Sequence, residues 1–399
     1  MIRKGLIERL FEAASLLRWN DHVRPVELTE LDKQAHKMVI AYVLGKFEET
    51  DRDASLDWIR LIEGGIFEFL HRVILTDIKP PVFHRMMATK GSELNEWVLK
   101  QLDKDIQGIK GDFKEKFRRY LFDGEYARFE KRILKAAHYL ATNWEFKIIY
   151  NACPFIYGIE KTKEEIENQI EDHYDLIGVQ KISLGKKSHG FIDLCGQLRF
   201  QQRWAQSPRI PRTSVLGHML LVALFAYFCS VEIGACRRRA YNNFFAALFH
   251  DLPEVLTRDI VSPIKGSIEG LQEIIKEYEK IQVEEKLLPL LPSSWREEIR
   301  YFTENEFETK IRKEGEGTAR TTSDEVNLRY NDDAFSPLDG ELIKACDHLA
   351  AFIEASLSIK HGVKARPLVE GKESLYALYR TRVTAGFDFG QIFDYFIDT

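Results

Sequence analysis

Apolar residues crowd every side of the segment VLGHMLLVALFAYF (215–228), a pattern that predicts a helix buried all round rather than one lying on a surface. Further on, 266–291 is amphipathic at a helical period and gathers Leu271, Ile274, Ile275, Tyr278 and Ile281 on one face. No extended stretch alternates apolar and polar residues as a half-buried strand would. Prolines and glycines fall between the helical runs, at 79–82, 290–293 and 339–340, where they end helices instead of breaking them. The chain therefore reads as all-α. A length of 399 residues exceeds what one core usually supports, so two units of about 200 residues are expected. The short, polar, glycine-bearing stretch ISLGKKSHG (182–190) is the expected boundary, giving helical bundles over 1–182 and 190–399.

The two halves echo each other. IFEFLHRVILTDI (66–78) aligns without gaps on LFHDLPEVLTRDI (248–260), an offset of 182, and the same offset puts His36 on His218. LKAAHYLAT (134–142) aligns on IKACDHLAA (343–351) at an offset of 209. The difference of 27 residues falls best within 305–333, which is polar, charged and poor in hydrophobic period. That insertion reads as a disordered surface loop or as a mobile lid over a site.

Composition narrows the classes. An apolar fraction of 45% is ordinary for a globular protein, and a net charge of −5 speaks against a general nucleic-acid binder, so no extended nucleic-acid partner is expected. Five cysteines, with no CxxC pair, read as reduced thiols rather than a disulfide framework. The first residues, MIRKGLIERLFEAASLLRW, carry charges through their apolar positions, unlike a signal peptide. The longest apolar run, 219–229, is shorter than the roughly 20 residues that span a bilayer. Together these predict a cytoplasmic protein with no membrane partner.

The chemistry gathers around His250 and Asp251, side by side at the end of an apolar run. His218 lies upstream and Asp347 downstream, each also in an apolar, helical stretch. Two imidazoles and two carboxylates can hold one divalent cation, the carboxylates balancing its charge, if the helices converge in a bundle. The order H…HD…D at these intervals resembles the HD-domain metal-dependent phosphohydrolases. Finer features resemble their YfbR-like 5′-deoxynucleotidase branch: Arg203–Trp204 fifteen residues before His218, HDLPEVLTRD followed by SPIK, and KACDHLAA around Asp347. The resemblance covers about 190–370 well and the first half as a degraded copy. One departure is Gly217, where the family has an acidic residue.

The resemblance implies a fold of two tandem HD-domain-like helical bundles and one divalent ion (Mn, Co, Mg, Zn or Fe) on His218, His250, Asp251 and Asp347. It implies Glu254 as acid–base or water-orienting group, with Asp259 at the sugar hydroxyl or leaving oxygen. Arg203 is the expected phosphate clamp, its planar fork matched to phosphoryl oxygens. Trp204 would pack on the sugar and exclude a 2′-hydroxyl, and Lys265 would add positive potential. The expected activity is hydrolysis of (deoxy)nucleoside 5′-monophosphates. Cleavage of nucleoside triphosphates or a signalling nucleotide, and nucleotide binding with little turnover, are the alternatives. In the first copy His36, Glu68, Phe69 and His138 stand opposite the metal set, so that lobe is expected to be silent. The fused pair would then act either as a monomeric pseudo-dimer or within a homodimer.

Overall fold

The computed structural model describes residues 2–258, 268, 270–313, 315 and 317–397. Helix makes up 68% of the chain and strand only 4%, so the all-α reading holds. Among the described residues, strand is confined to two short antiparallel pairs, Lys310–Lys313 with Gly317–Arg320 and Val383–Thr384 with Phe387–Asp388. The chain divides into two compact units. One comprises Gly5–Gln107 and Asp112–Gly196, the other Gln197–Thr399 with Met1–Lys4 and Gly108–Gly111. The segment 182–190 lies inside the first of these, running from the end of helix Ile177–Ser183 into helix Lys187–Gln197.

The C-terminal unit is built on helix Val215–Glu232, whose residues from Val215 to Ser230 are all buried. Ser214 starts it, its hydroxyl accepting from the Gly217 amide at 2.9 Å. By length and composition this helix could cross a membrane, at a mean hydropathy of 1.8, but 89% of it is buried inside the protein. It is a core helix: each buried Leu, Val or Phe contributes about 1.5–3 kcal/mol that solvent exposure would forfeit. Helices Arg237–Phe249 and Gly340–Lys360 pack on it, and Arg366–Tyr379 covers the latter. The amphipathic segment forms a helix over Leu271–Gln282, with Ile274 and Tyr278 of its apolar stripe exposed.

The insertion is not a disordered loop. It folds into the Lys310–Lys313/Gly317–Arg320 hairpin and the short helical turns Ser323–Glu325 and Val326–Tyr330. Helix Arg237–Phe249 has no side-chain cap of its own, and the insertion supplies one. Asn331 Oδ1 accepts from the Cys236 amide at 2.9 Å, and Asp333 Oδ1 from the Arg238 amide at 2.7 Å. Arg239, fully buried, forks onto Asp339 at 2.6 and 3.1 Å and also donates to Asn327 and Asn331. Polarity misled the sequence reading here: the polar residues face a buried arginine and an open helix end rather than water. The start of Gly340–Lys360 lies so close to 307–308 that a Cβ at Gly340 would sit 2.3 Å from the Phe307 carbonyl carbon. Only glycine fits there.

In the N-terminal unit the pairing of His36 with His218 gives way to another register. Trp19 and Trp204 both have positive φ, at 57° and 56°. Leu17 bridges Thr29 as Gln202 bridges Ser214. Thr29 caps helix Glu30–Arg52 through the Asp32 amide, as Ser214 does through Gly217. The Trp19 indole donates to Glu145 at 2.9 Å, and the Trp204 indole to Glu354 at 3.0 Å. All these residues before the first long helix match at an offset of 185, which sets Lys33 opposite His218. His36 is one turn further along, its Nε2 against the Ile192 carbonyl at 2.9 Å and its ring edge-on to Trp144.

Candidate metal centre

Three helix segments of the C-terminal unit deliver the site. His218 projects from the first turn of Val215–Glu232, and Asp347 from the second turn of Gly340–Lys360. Helix Arg237–Phe249 stops at His250, where the Nδ1 of that residue faces the Ala247 carbonyl at 2.7 Å. With Nδ1 held by a carbonyl, Nε2 is the ring nitrogen that faces the cluster, the one available to a metal.

His218 Nε2 lies 2.9 Å from Asp347 Oδ1, and His250 Nε2 lies 3.2 Å from Asp251 Oδ2. Ligand atoms of His218, His250 and Asp347 all fall within 4.8 Å of one another. Both imidazoles are buried, while the two aspartates keep part of their surface open, so the cluster has a closed floor and an accessible rim. His250 Nε2 and Asp251 Oδ2 are buried without an aligned hydrogen bond. Buried polar atoms so placed call for a further partner, and the two-imidazole, two-carboxylate donor set fits a divalent cation.

The charges inside the cluster hold one another. Burial alone would lower the His250 pKa, but Asp251 and Asp347 outweigh it and raise it to about 9. Burial opposes ionisation of Asp251 and Asp347, yet the histidines and Arg203 keep both carboxyls below the ordinary range. Arg203 stands over both, 3.8 Å from Asp251 Oδ2 and 3.7 Å from Asp347 Oδ1. Its guanidinium bridges the two carboxylates from one side of the cluster.

Glu254 is buried beside His250, but not by the one-turn spacing within a helix that the sequence suggests. The helix ends before His250, and Pro253 precedes a separate short helix, Glu254–Thr257. The proline imposes that break. The turn still brings Glu254 to the site, for it lines a cavity of about 330 Å³ together with His250, Asp251, Lys276, Lys280 and Asn305. Asp259 and Lys265 lie outside the described residues.

Trp204 is committed from behind. Its indole donates to Glu354, and its ring edge packs where a Cβ on Gly371 would meet it at 2.9 Å. Glu354 itself is a residue the sequence reading missed. It is 1% exposed, accepts from the Thr213 hydroxyl at 2.5 Å, and faces His218 Nδ1 at 3.6 Å and Arg209 at 3.6 Å. Burial opposes its charge, but Arg209 and His218 hold its carboxyl well below the usual carboxylate range. The signal was present: Glu354 follows Asp347 by seven residues, two turns on the same helical face.

Comparison with known proteins places this stretch of the chain in a family. The HD domain family matches residues 195–376. The 5′-deoxynucleotidase of Vibrio vulnificus (strain YJ016) is 33% identical over 123 residues, covering 29% of this chain and 61% of the relative. That of Vibrio atlanticus (strain LGP32) is 30% identical over 140 residues, covering 33% of this chain and 70% of the relative. The 5′-deoxynucleotidase YfbR of Shigella dysenteriae is 24% identical over 220 residues, covering 53% of this chain and 90% of the relative. The match thus spans about three-fifths of the length of the Vibrio vulnificus and Vibrio cholerae relatives.

Proposed function

The chain belongs, through its C-terminal half, to the HD-domain family that includes these 5′-deoxynucleotidases, and from that premise we propose that it is a metal-dependent phosphohydrolase of deoxynucleoside 5′-monophosphates. The observation that carries the reading is the convergence of His218, His250 and Asp347, with Asp251 beside them, beneath Arg203. An ion bound there would acidify a bound water and neutralise phosphoryl oxygens, the two obstacles to attack on a phosphomonoester dianion.

The protein's own groups do the rest. Arg203 takes the phosphoryl oxygens with its two-pronged fork, exchanging two aspartate contacts for phosphate ones. Glu254, buried at the cavity wall, accepts the proton of the attacking water. Asp259 and Lys265 serve the leaving oxygen and the phosphate in this proposal, and Trp204 sets the preference for deoxyribose. The N-terminal unit is a degenerate copy without turnover. His and Asp donors accept Mn²⁺, Co²⁺, Mg²⁺, Zn²⁺ or Fe²⁺, with availability deciding among them.

The test is phosphate release from a panel of ribo- and deoxynucleoside mono- and triphosphates, each metal added in turn to metal-stripped protein. Release of inorganic phosphate from deoxynucleoside monophosphates, lost in Asp251→Ala, is the expected result. Tripolyphosphate release from triphosphates, or turnover that survives Asp251→Ala, would overturn the proposal.

A further inference from the structure

The position that holds the cation-binding set in the C-terminal unit is occupied differently in the N-terminal unit. The offset of 185 puts Lys33 where His218 stands, and the later offset of 209 puts His138 opposite Asp347 and Glu145 opposite Glu354. Glu68 and Phe69 take the places of His250 and Asp251. These four residues do not fit a divalent ion. Phe69 offers no donor atom, and the Glu68 oxygens and His138 Nδ1 already face protein donors.

Each can be followed to its partner. The Lys33 amine lies against His138 Nδ1, just as His218 lies against Asp347 in the other unit. Lys37, one turn along the same helix, donates to Glu68 Oε2 at 2.5 Å. The Tyr120 hydroxyl donates to Glu68 Oε1, also at 2.5 Å. Both carboxylate oxygens and the imidazole nitrogen thus face protein donors, whereas His250 Nε2 and Asp251 Oδ2 make no aligned hydrogen bond. Lys33 and Lys37 are both fully buried. Burial, with Arg18 and Lys37 nearby, pushes the Lys33 amine well below the ordinary lysine range, while Glu30 and Glu145 oppose the shift.

The anion clamp is closed as well. Arg18, the counterpart of Arg203, is paired with Glu30 at 2.7 Å and Glu145 at 2.9 Å, both buried. Arg203 instead stands 3.7–3.8 Å from the two aspartates at the open rim.

We infer that the N-terminal unit is a metal-free counterpart of the catalytic unit, in which the side-chain nitrogens of Lys33 and Lys37 take the contacts an ion would make and Arg18 is withdrawn from phosphate. The unit keeps the polar interior of the fold without needing metal, and one chain carries one ion. The inference rests on the metal reading of the C-terminal unit only for that last count.

The experiment is hydrogen exchange on the full-length, metal-stripped chain with and without Mn²⁺, read peptide by peptide. Protection on Mn²⁺ addition is expected in 215–232 and 340–360 and absent from 30–52 and 128–152. Matching protection in the N-terminal peptides would overturn the inference. Protection nowhere would sink the C-terminal assignment while agreeing with a metal-free N-terminal unit. A second measurement tests the equivalence directly. In an Asp251→Ala background, the combined changes Lys33→His, Glu68→His, Phe69→Asp and His138→Asp rebuild the donor set and should raise bound Mn²⁺ from none to one per chain by elemental analysis. A folded variant that binds none would overturn the claim that Lys33 stands where the ion would. If that variant does not fold, the exchange result on the wild-type chain decides alone.

Discussion

Replacing Glu354 by Gln changes one oxygen to nitrogen, yet it removes the carboxylate placed behind His218. The carboxylate lies 3.6 Å from His218 Nδ1 and 3.6 Å from Arg209, whose side chain is fully buried. Its Oε1 accepts from Thr213, and its Oε2 from the Trp204 indole at 3.0 Å. A glutamine can keep the first contact, but its amide then points N–H groups at the indole N–H and the guanidinium. Leaving a buried arginine without its partner costs about 3–5 kcal/mol. The second effect falls on the ion: a histidine ligand loses the negative charge behind its ring, a change that typically lowers metal affinity about 10–100-fold. The two effects separate in a double variant. Glu354→Gln/Arg209→Met removes the orphaned cation, so urea stability should return most of the way to wild type. Metal affinity, measured by equilibrium dialysis against Mn²⁺, should stay low. Wild-type affinity in Glu354→Gln, with stability lost, would show that the carboxylate serves only Arg209 and has no bearing on His218.

Three further outcomes follow from the same contacts. Arg203→Ala should lower kcat/KM about 10–150-fold, the range of a charge-assisted hydrogen bond of about 1.5–3 kcal/mol, with the ion still bound because a repelling cation has been removed; unchanged kinetics at saturating metal would refute the clamp. Arg239→Met strips the buried fork that ties Asp339 to the insertion and should cost about 3–5 kcal/mol in chemical denaturation, with faster proteolysis within 310–330; an undisturbed insertion would show that the hairpin folds without it. Burial lowers Lys310 to about 8, against the pull of Glu306, Glu304 and Glu308. Because the unfolded chain then binds more protons between about pH 8 and the ordinary lysine pKa, wild-type stability should gain on Lys310→Met as pH rises through that window, and a constant difference between the two proteins would refute it.

The helical architecture was legible because burial imposes a period. A helix buried from Val215 to Ser230 must be apolar on all faces, and it is. The convergence of His218, His250 and Asp347 was legible for a related reason: histidines and aspartates inside apolar runs are expensive to bury unless something binds them, so they stand out from their surroundings. Residues whose partners lie far along the chain were not legible. Nothing in the polar stretch 305–333 announces that Asn327 and Asn331 face a buried arginine 88 and 92 residues upstream. Nor does local sequence reveal that helix Arg237–Phe249 borrows its cap from Asn331 and Asp333. Such information lies in tertiary pairing, which a local hydrophobic period cannot carry.

The register of the repeat failed for a subtler reason. Matching like with like put one histidine on another, and so chose His36 over Lys33. A stronger signal was available: the dipeptide Arg18–Trp19 precedes Lys33 by fifteen residues, as Arg203–Trp204 precedes His218. The backbone at that tryptophan, its indole bond to a glutamate and the helix cap that follows are shared by both units. The frame around the site therefore persisted while the ligands changed. A histidine replaced by lysine looks like loss of the site in an alignment, but Lys33 keeps a nitrogen beside His138 where His218 keeps one beside Asp347. A second unit built on the same frame must still satisfy the polar groups buried in its core. That requirement governs which side chains can replace a metal ligand there.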